Sequence, residues 1–313
     1  MAPWHPVASA PSAPRPPLTG CGGSPRRSAR KEAPRTLRRL RGGIGASTHV
    51  LALGDRRVVL KRYPVGADVD REWDAMVVAH RHGLRVPEPL AVDAAGAWFG
   101  RPSIAMSLVP GRALLDPQRR SVYATDVAHA LATVHDLPVV ALPPSLRRPH
   151  RIDTVDLDAT PSDGHLPPEL VGRIAHAIRP LLSSMVATER VCNHGDFHPG
   201  NLVWSRDRLS GVVDWSGARP GPRWSELAYF RVELAVLVDL RLADTVLRTY
   251  ERLIGQRSPM QAAWDLLHVL DGHTDVPFWL QAYRDQGRSD MTLEKGRTRL
   301  RRLAQSLLAR LQA

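Results

Sequence analysis

Three oxygen-bearing residues stand at set distances in the stretch VCNHGDFHPGNLVWSRDRLSGVVDW, residues 191–215. Asn201 follows Asp196 by five residues, and Asp214 follows Asn201 by thirteen. Apolar runs, NLVW and GVVDW, surround them, and polar groups placed among apolar strands cost free energy unless they are paired or used. Asp and Asn offer the hard oxygens that Mg²⁺ takes, few from protein and the rest from phosphate. Asp196 would then be left to orient a hydroxyl and accept its proton. Two metal holders and one positioned base are the parts that phosphoryl transfer needs.

A second chemistry is open to the same residues. His194, Asp196 and His198 alternate, and alternate residues of a strand share a face. With Asp214 as a further ligand they could hold Zn²⁺ in a metal-dependent hydrolase. Gly195, Pro199 and Gly200 interrupt any regular strand there, and this assignment leaves Asn201 idle. Under the first chemistry both histidines read as structural braces of the loop.

Elements on either side must position this stretch. From Thr36, TLRRLRGGIGASTHVLALGDRRVVLKRYP reads as strand, glycine turn, strand, turn, strand, with Gly54–Asp55 as a hairpin turn. ADVDREWDAMVVAHRHG has Val69, Trp73, Met76 and Val77 near helical spacing and Gly83 as a stop. VPEPLAVD and PSIAMSLV add two strands. After PGRALLD helices dominate: VYATDVAHALATVHDL, PELVGRIAHAIRPLLSSMV, ELAYFRVELAVLVDL, LADTVLRTYERLI, and a last helix with Leu300, Leu303, Leu307 and Leu311 on one stripe. The expected fold class is α+β, with about five antiparallel strands and one helix followed by a larger, mostly helical part.

The 313 residues carry 43% hydrophobic and 24% charged side chains, ordinary for a globular protein. The net charge is +12, but residues 1–41 hold +8 of it. The body is therefore close to balanced, and no specific nucleic-acid partner is expected. Residues 1–35, rich in Pro, Ser, Gly and Arg, read as a disordered and dispensable tail. No apolar run approaches a membrane span. Two cysteines, Cys21 and Cys192, make no disulfide framework and suit a reducing cytoplasm.

HGDFHPGN followed by VVDW resembles the motif of aminoglycoside phosphotransferases, choline kinase and related small-molecule kinases. Their loop corresponds to the protein-kinase H-R-D-x-x-x-x-N loop. The resemblance implies a bilobal protein-kinase-like fold, with a nucleotide-binding N-lobe at 36–109 and a C-lobe at 110–313. It implies Asp196 as catalytic base, Asn201 and Asp214 as Mg²⁺ ligands, and ATP or GTP as co-substrate. RGGIGAST supplies Gly42, Gly43, Gly45 and Ser47 as a phosphate-cradling turn. Lys61 in VVLKRY matches the strand lysine, and Glu72 is placed to pair with it. MSLVPG falls at the hinge, where Ser107 and Val109 would meet the nucleotide base. The intact Lys61, Asp196, Asn201 and Asp214 argue against a catalytically inactive nucleotide-binding module. Where the family often has Asp in a D-L-A triplet, this chain has Glu226, a poorer helix cap, which puts a structural role for it in doubt. The implied activity is transfer of the γ-phosphate to a small-molecule hydroxyl. Two acidic stretches, one with Asp153, Asp156, Asp158 and Asp163, the other running from Asp265 to Asp290 beside Trp279 and Tyr283, suggest a cationic, amine-bearing acceptor.

Overall fold

The computed structural model describes residues 35–40, 45–161 and 164–312. The dispensable-tail reading, apart from Arg35, and the glycines Gly42 and Gly43 lie outside these residues.

The small lobe opens with strands β1 (Arg35–Arg39), β2 (Ser47–Leu53) and β3 (Arg56–Arg62), then helix α1 (Asp70–Arg81), β4 (Pro89–Asp93) and β5 (Ser103–Ser107). The sheet is antiparallel in the order β1-β2-β3-β5-β4. The Gly54–Asp55 turn joins Leu53 to Arg56, with Gly54 at a positive φ of 55° that favours glycine. Val59, Ile104 and Met106 of the sheet meet Val69 and Met76 at the helix, so the alternation of the strands and the 3.6-residue period of α1 bury one shared core. Gly83, at φ 76°, lets the chain leave α1.

The larger lobe begins with a short strand β6 (Arg112–Ala113) and helix α2 (Arg120–His135). Helix α3 (Pro168–Ile178) and the one-turn α4 (Leu182–Val186) were expected to be one helix. A 3₁₀ turn at Arg179–Leu181 divides them, because Pro180 has no N–H to continue the ladder. Then come β7 (Arg190–Asn193), β8 (Leu202–Ser205), β9 (Arg208–Val212) and β10 (Arg219–Pro222). The lobe closes with α5 (Arg223–Leu237), α6 (Leu240–Ile254), α7 (Gln261–Gly272), α8 (Val276–Asp285) and α9 (Leu293–Gln312). Strand β7 pairs with β10, and β8 lies between β6 and β9.

Helix α5 is the axis of this lobe. Nearly all its residues are buried, and α6, α7 and α9 pack around it. Arg231, 2% exposed, binds Asp265 of α7 at 2.9 Å, Asp244 of α6 at 3.1 Å and the Ala243 carbonyl at 2.7 Å. Such a buried charge is tolerable only because every side of it is paired. Leu300, Leu303 and Leu307 of α9 lie in the same core, as their stripe predicts. Among the described residues no helix is long and apolar enough to cross a membrane.

Candidate active site

The two loops that carry the motif are held face to face by glycines. Gly195 has φ 78°, and a Cβ there would collide with the Gly217 carbonyl. Only glycine permits both the conformation and the approach. His194, fully buried, ties the same loops together. Its Nδ1 accepts the Asp196 N–H (3.3 Å), its Nε2 donates to the Val213 carbonyl (3.1 Å), and its ring packs edge-on against Trp215. Burial holds its pKa below the ordinary histidine value, so it is a neutral brace. With both nitrogens engaged it has no lone pair for a metal, and the zinc arrangement of His194, Asp196 and His198 does not form.

Glu226 corrects an expectation. Its carboxylate, 4% exposed, accepts the Gly195 N–H at 2.5 Å, the His194 N–H at 3.0 Å and His135 Nε2 at 3.1 Å. Burial alone would raise its pKa; the hydrogen bond and charge of His135, with the Gly195 N–H, hold it below the ordinary value instead. It is the anchor that fixes the loop, which helix-capping preference gave no reason to expect.

Lys61 on β3 reaches across to the larger lobe. Nζ donates to Glu72 Oε2 of α1 at 2.8 Å and to Asp214 Oδ1 at 2.8 Å. Burial opposes its charge, but the two carboxylates outweigh that and raise its pKa. Tyr63 donates to Glu72 Oε2 at 2.5 Å. Asp214 itself sits at φ 65°, a left-handed conformation that costs a non-glycine residue roughly 1–2 kcal/mol. Asn201 Nδ2 donates to both the Asp196 carbonyl (3.0 Å) and Asp196 Oδ2 (2.9 Å). Both partners are acceptors, so the amide orientation is fixed and its oxygen points elsewhere. On the other side of Asp196, Tyr229 of α5 donates to Oδ1 at 2.9 Å. The sequence reading did not include Tyr229.

Two cavities meet at these residues. One, of about 520 Å³, is lined by Asp196, His198, Tyr229, Glu233, Trp279 and Tyr283, with Lys61, Asn201 and Asp214 at its edge. The other, of about 510 Å³, runs under the small sheet past Thr48, Val59, Met106, Ser107 and Val109 and ends at the same Lys61, Asn201 and Asp214. Gly45 lines the first cavity. Ser47 lines neither; its neighbours Ala46 and Thr48 do, and residues on either side of it in an extended chain point the opposite way.

The acidic stretches are largely neutralised within the chain. Asp153 pairs with Arg190, Asp158 with Arg179, Asp265 with Arg231, Asp271 with Arg151, and Asp290 with Arg288 and Lys295. From the second stretch, Trp279 and Tyr283 line the first cavity and Asp285 the second. Asp163 lies outside the described residues.

A family model described as the phosphotransferase enzyme family (APH) matches residues 36–267. The chain belongs to this family. Its fold is shared by solved members of the phosphotransferase group. The aminoglycoside phosphotransferase APH(4)-Ia, as a thermostable mutant in ternary complex with ADP and hygromycin B, aligns at TM-score 0.55 and 16% identity, over 87% of this chain and 92% of that one. A choline/ethanolamine kinase family protein from Mesorhizobium loti aligns at TM-score 0.58 and 16% identity, over 88% of each. Two curated relatives are named for another activity. "Acyl-CoA dehydrogenase family member 10" of Mus musculus is 24% identical over 60% of this chain, and "Probable acyl-CoA dehydrogenase IBR3" of Arabidopsis thaliana 26% identical over 59%. The match takes in 19% and 26% of their lengths, so this phosphotransferase-family chain spans only a minor part of either.

Proposed function

We propose that this small-molecule phosphotransferase moves the γ-phosphoryl group of ATP or GTP to a hydroxyl of a small molecule, and that the hydroxyl-bearing acceptor is amine-bearing. The observation that carries the reading is the meeting of two separate cavities at Lys61, Asn201 and Asp214. A donor and an acceptor need two sites that share one reacting centre, with the acceptor oxygen and the phosphorus in line.

In this reading the cavity under the sheet takes the nucleotide. The hinge segment at Ser107 and Val109 borders its base. The Ser107 N–H is already given to the Glu88 carbonyl at 2.9 Å, so that donor is not free for the base. Lys61, kept charged and aimed by Glu72, contacts the phosphates. By the sequence motif alone, Gly42, Gly43 and Gly45 would cover them. Asn201 and Asp214 fit a hard cation. Lys61 and Ser216 both donate to Asp214 Oδ1, leaving Oδ2, and the Asn201 amide is turned so that its oxygen is the free end. These two oxygens would hold Mg²⁺, which would supply positive charge to offset that of the phosphates. Asp196, which lines the other cavity, aligns the acceptor hydroxyl and takes its proton as the new oxygen–phosphorus bond forms and the bond from the γ-phosphorus to the departing nucleoside diphosphate breaks. In a loose transition state that proton leaves late, so orientation counts for more than basicity.

The acceptor cavity itself, rather than the flanking acidic stretches, supports a cationic ligand. Asp68, Asp196 and Glu233 line it together with Tyr63, Tyr229, Phe278, Trp279 and Tyr283. Carboxylates and aromatic faces attract an ammonium group by Coulomb and cation–π terms. The lobe boundaries near residues 109 and 110 and a cytoplasmic location complete the proposal. The test has two steps. Mg²⁺ with ATP or GTP should raise the melting temperature, as binding to the folded state requires. A nucleotide-consumption screen over small alcohols and antibiotics should then be led by amine-bearing compounds, with KM rising with salt. No shift with either nucleotide at millimolar concentration refutes the nucleotide assignment, and a neutral or anionic sugar as best acceptor refutes the cationic one.

A further inference from the structure

Helix α5 presents three polar side chains at helical spacing to the catalytic loop and the aromatic wall beside it: Glu226, Tyr229 and Glu233. Residues three and four apart share a helix face. Glu226 holds the loop by its backbone, through the N–H groups of His194 and Gly195. Glu233 accepts from Tyr283, whose hydroxyl also meets His198 Nδ1 at 3.1 Å. Between them, Tyr229 reaches the Asp196 carboxylate directly, at 2.9 Å on Oδ1. Asn201 Nδ2 occupies Oδ2 at the same distance.

Resting on the reading of Asp196 as the acceptor-aligning base, we propose that Tyr229 is a positioning residue that locks the plane of the Asp196 carboxylate for phosphoryl transfer. One donor would leave a carboxylate free to turn about its last torsion, which is broad and roughly two-fold. Donors on both oxygens remove that freedom. Each oxygen still keeps a lone pair for the acceptor hydroxyl. The Tyr229 ring cannot swing aside: His198 packs on it at 6.4 Å between centroids and His268 at 5.8 Å, and the Ser225 hydroxyl meets His268 Nε2 at 3.0 Å. The phenol stays a neutral donor, since burial, Glu233 and Asp196 push its ionisation well above the ordinary range. Near-attack geometry is what such a lock supplies, and small misplacements of a reacting group are costly in rate.

The first test needs neither nucleotide nor acceptor. With the five tyrosines labelled at ¹³Cζ, the resonance lost in Tyr229→Phe is assigned to Tyr229. Asp196→Asn should move that resonance while those of Tyr123 and Tyr250 stay in place. A Tyr229 resonance indifferent to Asp196→Asn overturns the proposal. The second test uses Mg²⁺-nucleotide and the hydroxyl compound that the consumption screen ranks first. Tyr229→Phe should lower kcat about tenfold, the rate equivalent of one hydrogen bond to a charged group, with the nucleotide KM within about twofold of wild type. An unchanged kcat overturns the proposal, as does a change confined to KM. If no compound in the screen is phosphorylated, the phosphotransfer reading fails, and the resonance experiment still decides whether Tyr229 holds Asp196.

Discussion

Replacing Glu226 by Gln tests whether the catalytic loop is held from behind. Gln keeps the shape and removes the charge. Glu226 Oε1 accepts from Gly195, and Oε2 accepts from both His194 and His135. An amide has one acceptor end, so whichever way it turns, an NH₂ faces at least one buried N–H donor. Hydrogen bonds to a charged group contribute about 1.5–3 kcal/mol each, and a buried group left unpaired costs about 1–3 kcal/mol, so Glu226→Gln should cost about 2–4 kcal/mol. At about 2–4 °C per kcal/mol for a domain of 150–250 residues, the melting temperature should fall by about 4–16 °C. Calorimetry of both proteins measures this. The pH dependence supplies a sign. The folded pKa of Glu226 lies below its ordinary 4.5, so its contribution is complete above that value and is lost as pH falls through the folded pKa. The gap between wild type and Glu226→Gln should therefore be constant at neutral pH and narrow only below about 4.5. A gap under about 1 °C at pH 7 would refute the bracing role.

Other outcomes follow from the same geometry. Asp196→Ala should lower transfer by about 10²–10⁴-fold while Mg²⁺-nucleotide still raises the melting temperature, because Asp196 lines only the acceptor cavity; near wild-type turnover on a confirmed acceptor would contradict its role. Arg231→Met should destabilise by about 3–5 kcal/mol, since Asp265 and Asp244 lose their partner inside the helical core, and chemical denaturation measures it. Deleting residues 1–34 should leave melting temperature and activity unchanged, as its composition suggests; loss of folded protein on truncation would show that the segment docks on the body.

How much of this was legible in the sequence depends on the range of the interaction. The strands were readable as short apolar, β-branched runs between turn residues, α1 from its helical spacing, and the glycines at 54 and 83 mark real turns. Lys61 meets Glu72, the pairing their spacing suggested, while the contact of Lys61 with Asp214 was not foreseen. Ion pairs between distant segments were not readable. Asp153 and Arg190 lie 37 residues apart, and Arg231 and Asp265 lie 34 apart. A run of aspartates therefore looked like a free anionic surface when its partners were elsewhere in the chain. Helices α7 and α8 were missed inside that same run.

Helix α5 shows where a further signal lay. A helix buried all round has no amphipathic stripe, so periodicity is silent about what it touches. Its polar residues are then the informative ones, because each must find a partner inside the protein. In RWSELAYFRVELAVL four of the polar positions, Glu226, Tyr229, Arg231 and Glu233, stand among apolar neighbours. Three of them, at spacings of three and four, meet the catalytic loop or the aromatic wall beside it, and the fourth, on the opposite side, anchors α6 and α7. One buried helix thus couples the packing of the large lobe to the orientation of Asp196. From a helix that begins three residues earlier at Arg223, the one carboxylate of Glu226 takes two successive backbone N–H groups and His135 together.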